Sequence, residues 1–269
     1  MRLKRVKLLS AYNPHNKIKL VHGGNEYFDL LETLIDKASQ CIHLQTYVID
    51  PDETGLRILN ALKRAAQRGV KVFVLSDGYA TKLPDELLED LKTAGISFRY
   101  FEPLFSSEKF YFGRRLHHKV FTADEFHSLV GGMNIANRYN DINGIKGWFD
   151  LAVYTQGQTS ALLHEVCNRL WKRNERKLPL PFLQKKIIFR NTPSEFLVPV
   201  RIRRNDWIRG RNQITQSYAE FISKSEKSIL IVSSYFIPGR IFRMRLAAAS
   251  RRGVKIKVVL AGISDVKMA

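Results

Sequence analysis

Arg68-Gly69-Val70-Lys71-Val72 ends one helix and opens one strand, and roughly 185 residues later Arg252-Gly253-Val254-Lys255-Ile256 does the same. Glycine stops a helix because it tolerates the left-handed backbone of a C-terminal cap, and the β-branched residues after it favour a strand. Upstream of the first phrase, residues 25–39 carry Phe28, Leu31, Leu34 and Ile35 at helical spacing, and a strand is expected over Cys41–Ile49. A second helix over Thr54–Arg68 places Leu56, Leu59 and Leu62 on one face, before the strand Val70–Ser76. The order recurs as helix 213–226, strand Ser228–Phe236, helix 239–252 and strand Val254–Ala261, with Tyr235 in the place of Tyr47. Alternating strands and helices predict an α/β fold whose parallel strands are joined by right-handed crossovers.

The two copies differ in length. After Ser76 the first copy continues through Asp77 to about Lys177, whereas the second stops shortly after Ala261. The expected organisation is therefore a complete unit over 1–178, a basic connector over 179–212 with Pro179, Pro181, Pro193 and Pro199, and an incomplete second unit over 213–269. The active cleft is expected where the units meet.

Composition narrows the function. The 269 residues are 45% hydrophobic, enough for a sizeable core, and no stretch approaches the ~20 apolar residues of a membrane-spanning helix. Met1–Ser10 is basic but lacks the apolar run of a signal peptide. The net charge of +19 favours polyanionic partners, either anionic lipid or nucleic acid. That charge is uneven. Glu26, Asp29, Glu32, Asp36, Asp50, Asp52 and Glu53 face only Lys37 in residues 26–53, whereas Arg240, Arg243, Arg245, Arg251, Arg252, Lys255 and Lys257 lie in an acid-free stretch. Cys41 and Cys167 read as reduced core thiols.

The chemistry concentrates in Leu116-His117-His118-Lys119-Val120-Phe121-Thr122-Ala123-Asp124, followed by a turn, His127–Val130 and Gly131-Gly132-Met133-Asn134. In a strand, residues two apart share a face, so His117 and Lys119 stand together and His118 points away. A neutral imidazole can attack phosphorus and form a covalent intermediate, while an ammonium neutralises the developing charge. Gly131 and Gly132 permit close approach of a phosphate to the backbone, and the Asn134 amide offers a further donor. Asp124 suits holding the loop or orienting a base better than attacking an anionic phosphodiester. His15, His22, His43, His127 and His164 read as isolated structural or surface residues, and a zinc site from His117, His118 and His127 is set aside because neighbouring strand residues diverge. The aromatic run Phe101, Phe105, Phe110, Tyr111, Phe112 reads as loop packing, with a lipid slot as the alternative.

His-x-Lys-x4-Asp followed by Gly-Gly-x-Asn resembles the signature of the phospholipase D superfamily. Gln45–Gly55, Gly131–Tyr139, Trp148-Phe149-Asp150 and Ser234–Pro238 look most like the bacterial cardiolipin synthases. The resemblance implies a phospholipase D-like fold, a mixed β-sheet flanked by helices, complete in the first unit and incomplete in the second. It implies His117, Lys119 and Asp124 as the catalytic set, Gly131, Gly132 and Asn134 at the substrate phosphate, and Trp148 and Asp150 as site walls. It further implies transfer of a phosphatidyl group between phosphatidylglycerol molecules through a phosphohistidine, with no metal and no cofactor. A peripheral protein at the cytoplasmic face of a bacterial membrane is expected, in contact with anionic phospholipid. Family members place the general acid on a second His-x-Lys-x4-Asp. This sequence has one, which implies a homodimer, a truncated two-motif chain, or an inactive fragment that binds anionic surfaces. A nuclease-like phosphodiesterase is the alternative enzyme, and nucleic acid ranks below lipid as partner.

Overall fold

The computed structural model describes residues 11–102, 115–175, 193, 195–206 and 211–262. Phe105, Phe110, Tyr111 and Phe112 of the aromatic run, Pro179 and Pro181 of the connector, and the basic N-terminus lie outside the described residues. The chain forms two compact units, Met1–Ile202 and Arg203–Ala269.

The first unit is built on a mixed seven-stranded sheet. Its elements are β1 (Asn16–His22), α1 (Asn25–Lys37), β2 (Cys41–Thr46), α2 (Glu53–Gln67), β3 (Lys71–Asp77), α3 (Asp85–Thr93), β4 (Ser97–Phe101), β5 (Lys119–Ala123), β6 (His127–Gly131), β7 (Leu151–Gly157) and α4 (Gln158–Glu175). The strand order is β1-β7-β6-β5-β2-β3-β4. β2, β3 and β4 run parallel, and β5, β6, β7 and β1 follow antiparallel.

The two sheet faces are covered differently. Phe28, Leu31 and Ile35 of α1, with Ile58, Leu59 and Leu62 of α2, pack against Ile42, Leu44, Val72, Val74 and Phe121 in the main core. Leu56, predicted on the buried face of α2, is instead exposed, and Ile58 takes that role. The acidic face of α1 is paired at the surface: Arg57 meets Asp29 and Glu32, and Arg64 meets Glu32 and Asp36. The opposite sheet face lies under α4, and it is polar over much of its area. Gln45, Thr122 and Ser128 are buried there, with Gln45 Nε2 donating to the Cys167 carbonyl and Ser128 hydrogen-bonded to Ser160.

Part of the stretch read as a connector belongs to the first unit. Asn13 and Val200 exchange backbone hydrogen bonds, Val198 N donates to Asn16 O, and Phe196 stacks on Phe126. Ile202 packs on Leu162 and Leu163. Proline content drew attention away from these apolar anchors.

The second unit comprises the short pair β8 (Asn205–Asp206) and β9 (Arg211–Asn212), then α5 (Gln213–Lys224), β10 (Ser228–Ser233), α6 (Arg240–Arg251) and β11 (Lys255–Leu260). β10 and β11 pair in parallel, as β2 and β3 do. The repeat extends to local hydrogen bonding. Arg68 donates to the Ile35 and Ala38 carbonyls that end α1, and Arg252 donates to Ile222, Ser223 and Ser225 at the end of α5. Gly69 and Gly253 both adopt positive φ, 86° and 89°, which fits glycine at each helix stop. Both repeat strands are shorter than predicted: β2 ends at Thr46 and β10 at Ser233.

Candidate active site

The site forms where β2 and β5 run out of ladder partners. β5 alternates strictly: Phe121 enters the core below α1 and α2, and Lys119, two residues earlier, shares its face. The strand begins at Lys119 rather than Leu116. The Leu116 amide donates to Asp77 Oδ2 over 2.8 Å, so the chain before Lys119 is fixed by a side chain instead of a ladder. Asp77 is fully buried at the end of β3, and its other oxygen accepts from Tyr79 N.

His117 and Lys119 come together around Tyr47. The His117 ring centroid lies 5.1 Å from that of Tyr47, and Lys119 Nζ lies 5.3 Å from the Tyr47 ring centre. Lys119 Nζ donates to the His117 carbonyl over 2.9 Å. The Lys119 side chain is almost wholly buried; burial pulls its pKa down to about 8, against the opposing pull of the Asp150 carboxylate. The pKa of His117 is lowered by partial burial and then by the Lys119 charge, with Asp77 acting the other way. Burial and the Lys119 charge both favour the neutral imidazole, the form that has a lone pair for phosphorus. His118 takes the other face, with Nε2 3.0 Å from Gln45 Oε1.

Gly131 and Gly132 sit opposite. Gly131 pairs with Lys119 across β5 and β6, and a Cβ there would come within 2.7 Å of the Ala152 Cβ. A Cβ on Gly132 would come within 2.2 Å of Asp150 Oδ2, so a side chain there would displace the Asp150 carboxylate. Asp150 thereby stands against Gly132 and within electrostatic reach of Lys119; burial raises its pKa, opposed by the Leu151 amide and by Lys119. Trp148 is half-exposed and packs edge-on against Tyr139 at 5.4 Å.

Two residues named from the sequence have different placements. The buried Asn134 amide is committed to protein partners: Oδ1 accepts from Val48 N, and Nδ2 donates to Tyr139 Oη. It fixes the Tyr47 loop. Asp124 is not brought to His117 and Lys119. It follows the far end of β5 and accepts from Ser39 N, Ser39 Oγ, Gln40 N and Cys41 N at 2.8–3.0 Å. Burial alone would raise its pKa, but these hydrogen bonds together lower it. The carboxylate holds the α1–β2 loop, the first of the two roles weighed for it.

The phrases Gln45–Gly55 and Gly131–Tyr139 prove to be two sides of one frame. Ile49 and Ile135 form a parallel bridge, Asp52 caps α2 through Gly55 N and also accepts from Asn137 N, and Arg138 pairs with Asp50 at 2.6 Å. Sequence reasoning missed Asp77 and Tyr47 as parts of the site. An acidic residue at the carboxyl end of a parallel strand was the available signal for Asp77.

Outside this cluster, His43 and His164 are not isolated as expected. They meet edge-to-face at 4.8 Å beneath α4, beside Cys41. Burial pushes the His43 pKa down to about 3, so this ring is neutral.

A mixed sheet between helical layers, with histidine and lysine converging at the ends of its central strands, defines a phospholipase D-like α/β protein. The family described as "Cardiolipin synthase, PLD-like domain" matches residues 31–171, and the chain belongs to it. Cardiolipin synthase B of Shigella flexneri is 32% identical over 269 residues, covering 95% of this chain and 62% of that protein. A cardiolipin synthase of Clostridium perfringens is 30% identical, covering 96% and 55%. The chain thus spans less than two thirds of the length of these curated relatives. The crystal structure of phosphatidylserine synthase from Haemophilus influenzae shares the fold at a TM-score of 0.63 and 16% identity, over 96% of this chain and 65% of that one.

Proposed function

We propose that this chain carries the nucleophilic half of a cardiolipin synthase-type phosphatidyltransferase. The observation that carries the reading is the His117 imidazole against Tyr47, with the buried Lys119 ammonium donating to its carbonyl. An imidazole nitrogen of His117 attacks the phosphorus of phosphatidylglycerol. The bond from phosphorus to the headgroup glycerol breaks, and the glycerol oxygen takes a proton. Lys119 neutralises the phosphoryl oxygens as charge concentrates on them. A hydroxyl of a second phosphatidylglycerol then loses its proton, attacks phosphorus and restores His117, giving cardiolipin; water in its place gives phosphatidic acid.

The departing glycerol needs a general acid. The proposal places it on a second His-x-Lys-x4-Asp, in another copy of the chain or in a longer polypeptide such as the relatives have. No helix among the described residues is long and apolar enough to cross a membrane. The net charge of +19 supports peripheral contact with anionic lipid at the cytoplasmic face of a bacterial membrane as part of this reading.

The test offers the chain two substrates: phosphatidylglycerol vesicles doped with phosphatidyl-p-nitrophenol, whose leaving group needs no acid, and labelled single- and double-stranded DNA. Release of p-nitrophenolate that disappears in His117→Ala, with DNA left intact, supports the lipid reading. Cleavage of DNA alone replaces it with a nuclease.

A further inference from the structure

The sheet face under α4 contains a cluster that the transfer chemistry does not use. Cys41 and His43, two residues apart on β2, project to this face, and His164 reaches them from α4. One donor atom from each lies within 4.8 Å of the other two. His43 is 1% exposed, and its Nδ1 is buried with no hydrogen-bond partner. A buried nitrogen left in that state is rare in folded proteins and calls for a reason. Phe73 stacks on the ring at 4.9 Å and 21°, which covers a face and leaves the in-plane nitrogens open.

A carboxylate lies beside His164, outside the three-residue group. Glu125 Oε1 lies 3.9 Å from His164 Nε2, and Nδ1 of the same ring lies 3.2 Å from Thr122 Oγ1. A hydrogen bond on one imidazole nitrogen orients the ring and sets its tautomer, the usual outer support of a metal-bound histidine. Glu125 holds φ 57° in the tight β5–β6 turn, after Asp124 at 53°, in backbone territory that normally selects glycine or asparagine.

We propose that Cys41, His43, His164 and Glu125 form a site for a thiophilic divalent ion of the zinc class, which pins α4 to β2 and to the β5–β6 turn. One thiolate, two imidazoles and a carboxylate make a borderline-soft, four-donor set suited to zinc and unlike the all-oxygen shells of magnesium or calcium. Bonds of about 2.0–2.3 Å around a tetrahedral ion need donors about 3.3–3.8 Å apart, so Cys41, His43 and His164 close by roughly 1 Å on binding and the Glu125 side chain swings in from beside His164. Cys41 and Glu125 are only partly buried, which gives the ion a way in. The ion braces the sheet and takes no part in attack by His117.

The experiment uses the full chain, tag removed and stripped with chelator, titrated with cobalt(II). The expected result is one equivalent bound with a thiolate-to-cobalt charge-transfer band, displaced by zinc. Cys41→Ser loses the band, whereas Cys167→Ser, one helical turn from His164, keeps it. Absence of the band in the parent chain, its survival in Cys41→Ser, or its loss in a folded Cys167→Ser overturns the proposal. X-ray absorption of the zinc-loaded parent chain decides the same point without a variant: one sulfur in the shell is required, and a shell of nitrogen and oxygen alone overturns it.

Discussion

His117 and Asp124 flank β5 from beyond its two ends, His117 before Lys119 and Asp124 after Ala123, with a five-residue strand between them. One motif therefore contains a reactive end and an anchoring end. Lys119 reaches back to the His117 carbonyl at the first. Asp124 gathers the amides of Ser39, Gln40 and Cys41 at the second.

Asp124→Ala is accordingly a stability variant. It strands three amides around a buried carboxylate position, and urea unfolding should show a loss of about 3 kcal/mol. The folded-state pKa of Asp124 is depressed, so its contribution is present above the ordinary carboxylate range and lost as pH falls through the depressed value. The gap between parent and variant should therefore narrow in acid. A variant as stable as the parent at neutral pH contradicts the anchoring role.

Catalysis should have two pH limbs. Lys119 works protonated, so activity falls as pH rises through about 8. His117 works neutral, and with its pKa lowered the acid limb lies below the ordinary imidazole range. Asp150 supports the charge on Lys119, so Asp150→Asn should move the alkaline limb to lower pH while the acid limb stays. A pH–rate profile of p-nitrophenolate release checks both limbs, and an alkaline limb that does not move removes Asp150 from the site.

Asp77 is a positioning residue with its own signature. Its charge raises the His117 pKa, so Asp77→Asn should shift the acid limb to lower pH and leave the alkaline limb in place. Asp77→Ala also strands the Leu116 amide and should lower kcat further. A purely structural aspartate would cost stability with no movement of the acid limb.

Membrane contact is expected to be electrostatic. In flotation, the chain should rise with phosphatidylglycerol vesicles, stay behind with phosphatidylcholine vesicles, and be released by molar salt, where the Debye length shrinks to about 3 Å. Equal binding to both vesicles contradicts the assignment.

Much of this was legible in the sequence because it is periodic or local. Phe28, Leu31, Leu34 and Ile35 announced α1, the two Arg-Gly-Val phrases announced the repeat, and the alternation through Phe121 placed Lys119. Long-range placements were not legible. Asp124 is adjacent in sequence to the reactive residues, yet a straight strand carries it away from them. Asp77 is 40 residues from His117 in sequence and reaches its neighbour Leu116 only through the sheet order. The pairing of His43 with His164 depends on α4 crossing β2, which no spacing encodes. Leu56 misled because the buried stripe runs through Gly55, Ile58, Leu59 and Leu62 at helical spacing, which leaves Leu56 at its margin.

The most direct test of the central claim is a rapid-quench experiment with phosphatidyl-p-nitrophenol labelled at phosphorus, followed by peptide mapping without acid. A burst of p-nitrophenolate is expected, with an acid-labile, base-stable label on His117 that is absent from His117→Ala and retained in folded Asp124→Ala. Label on any other residue, or a folded chain that takes up none, contradicts that claim.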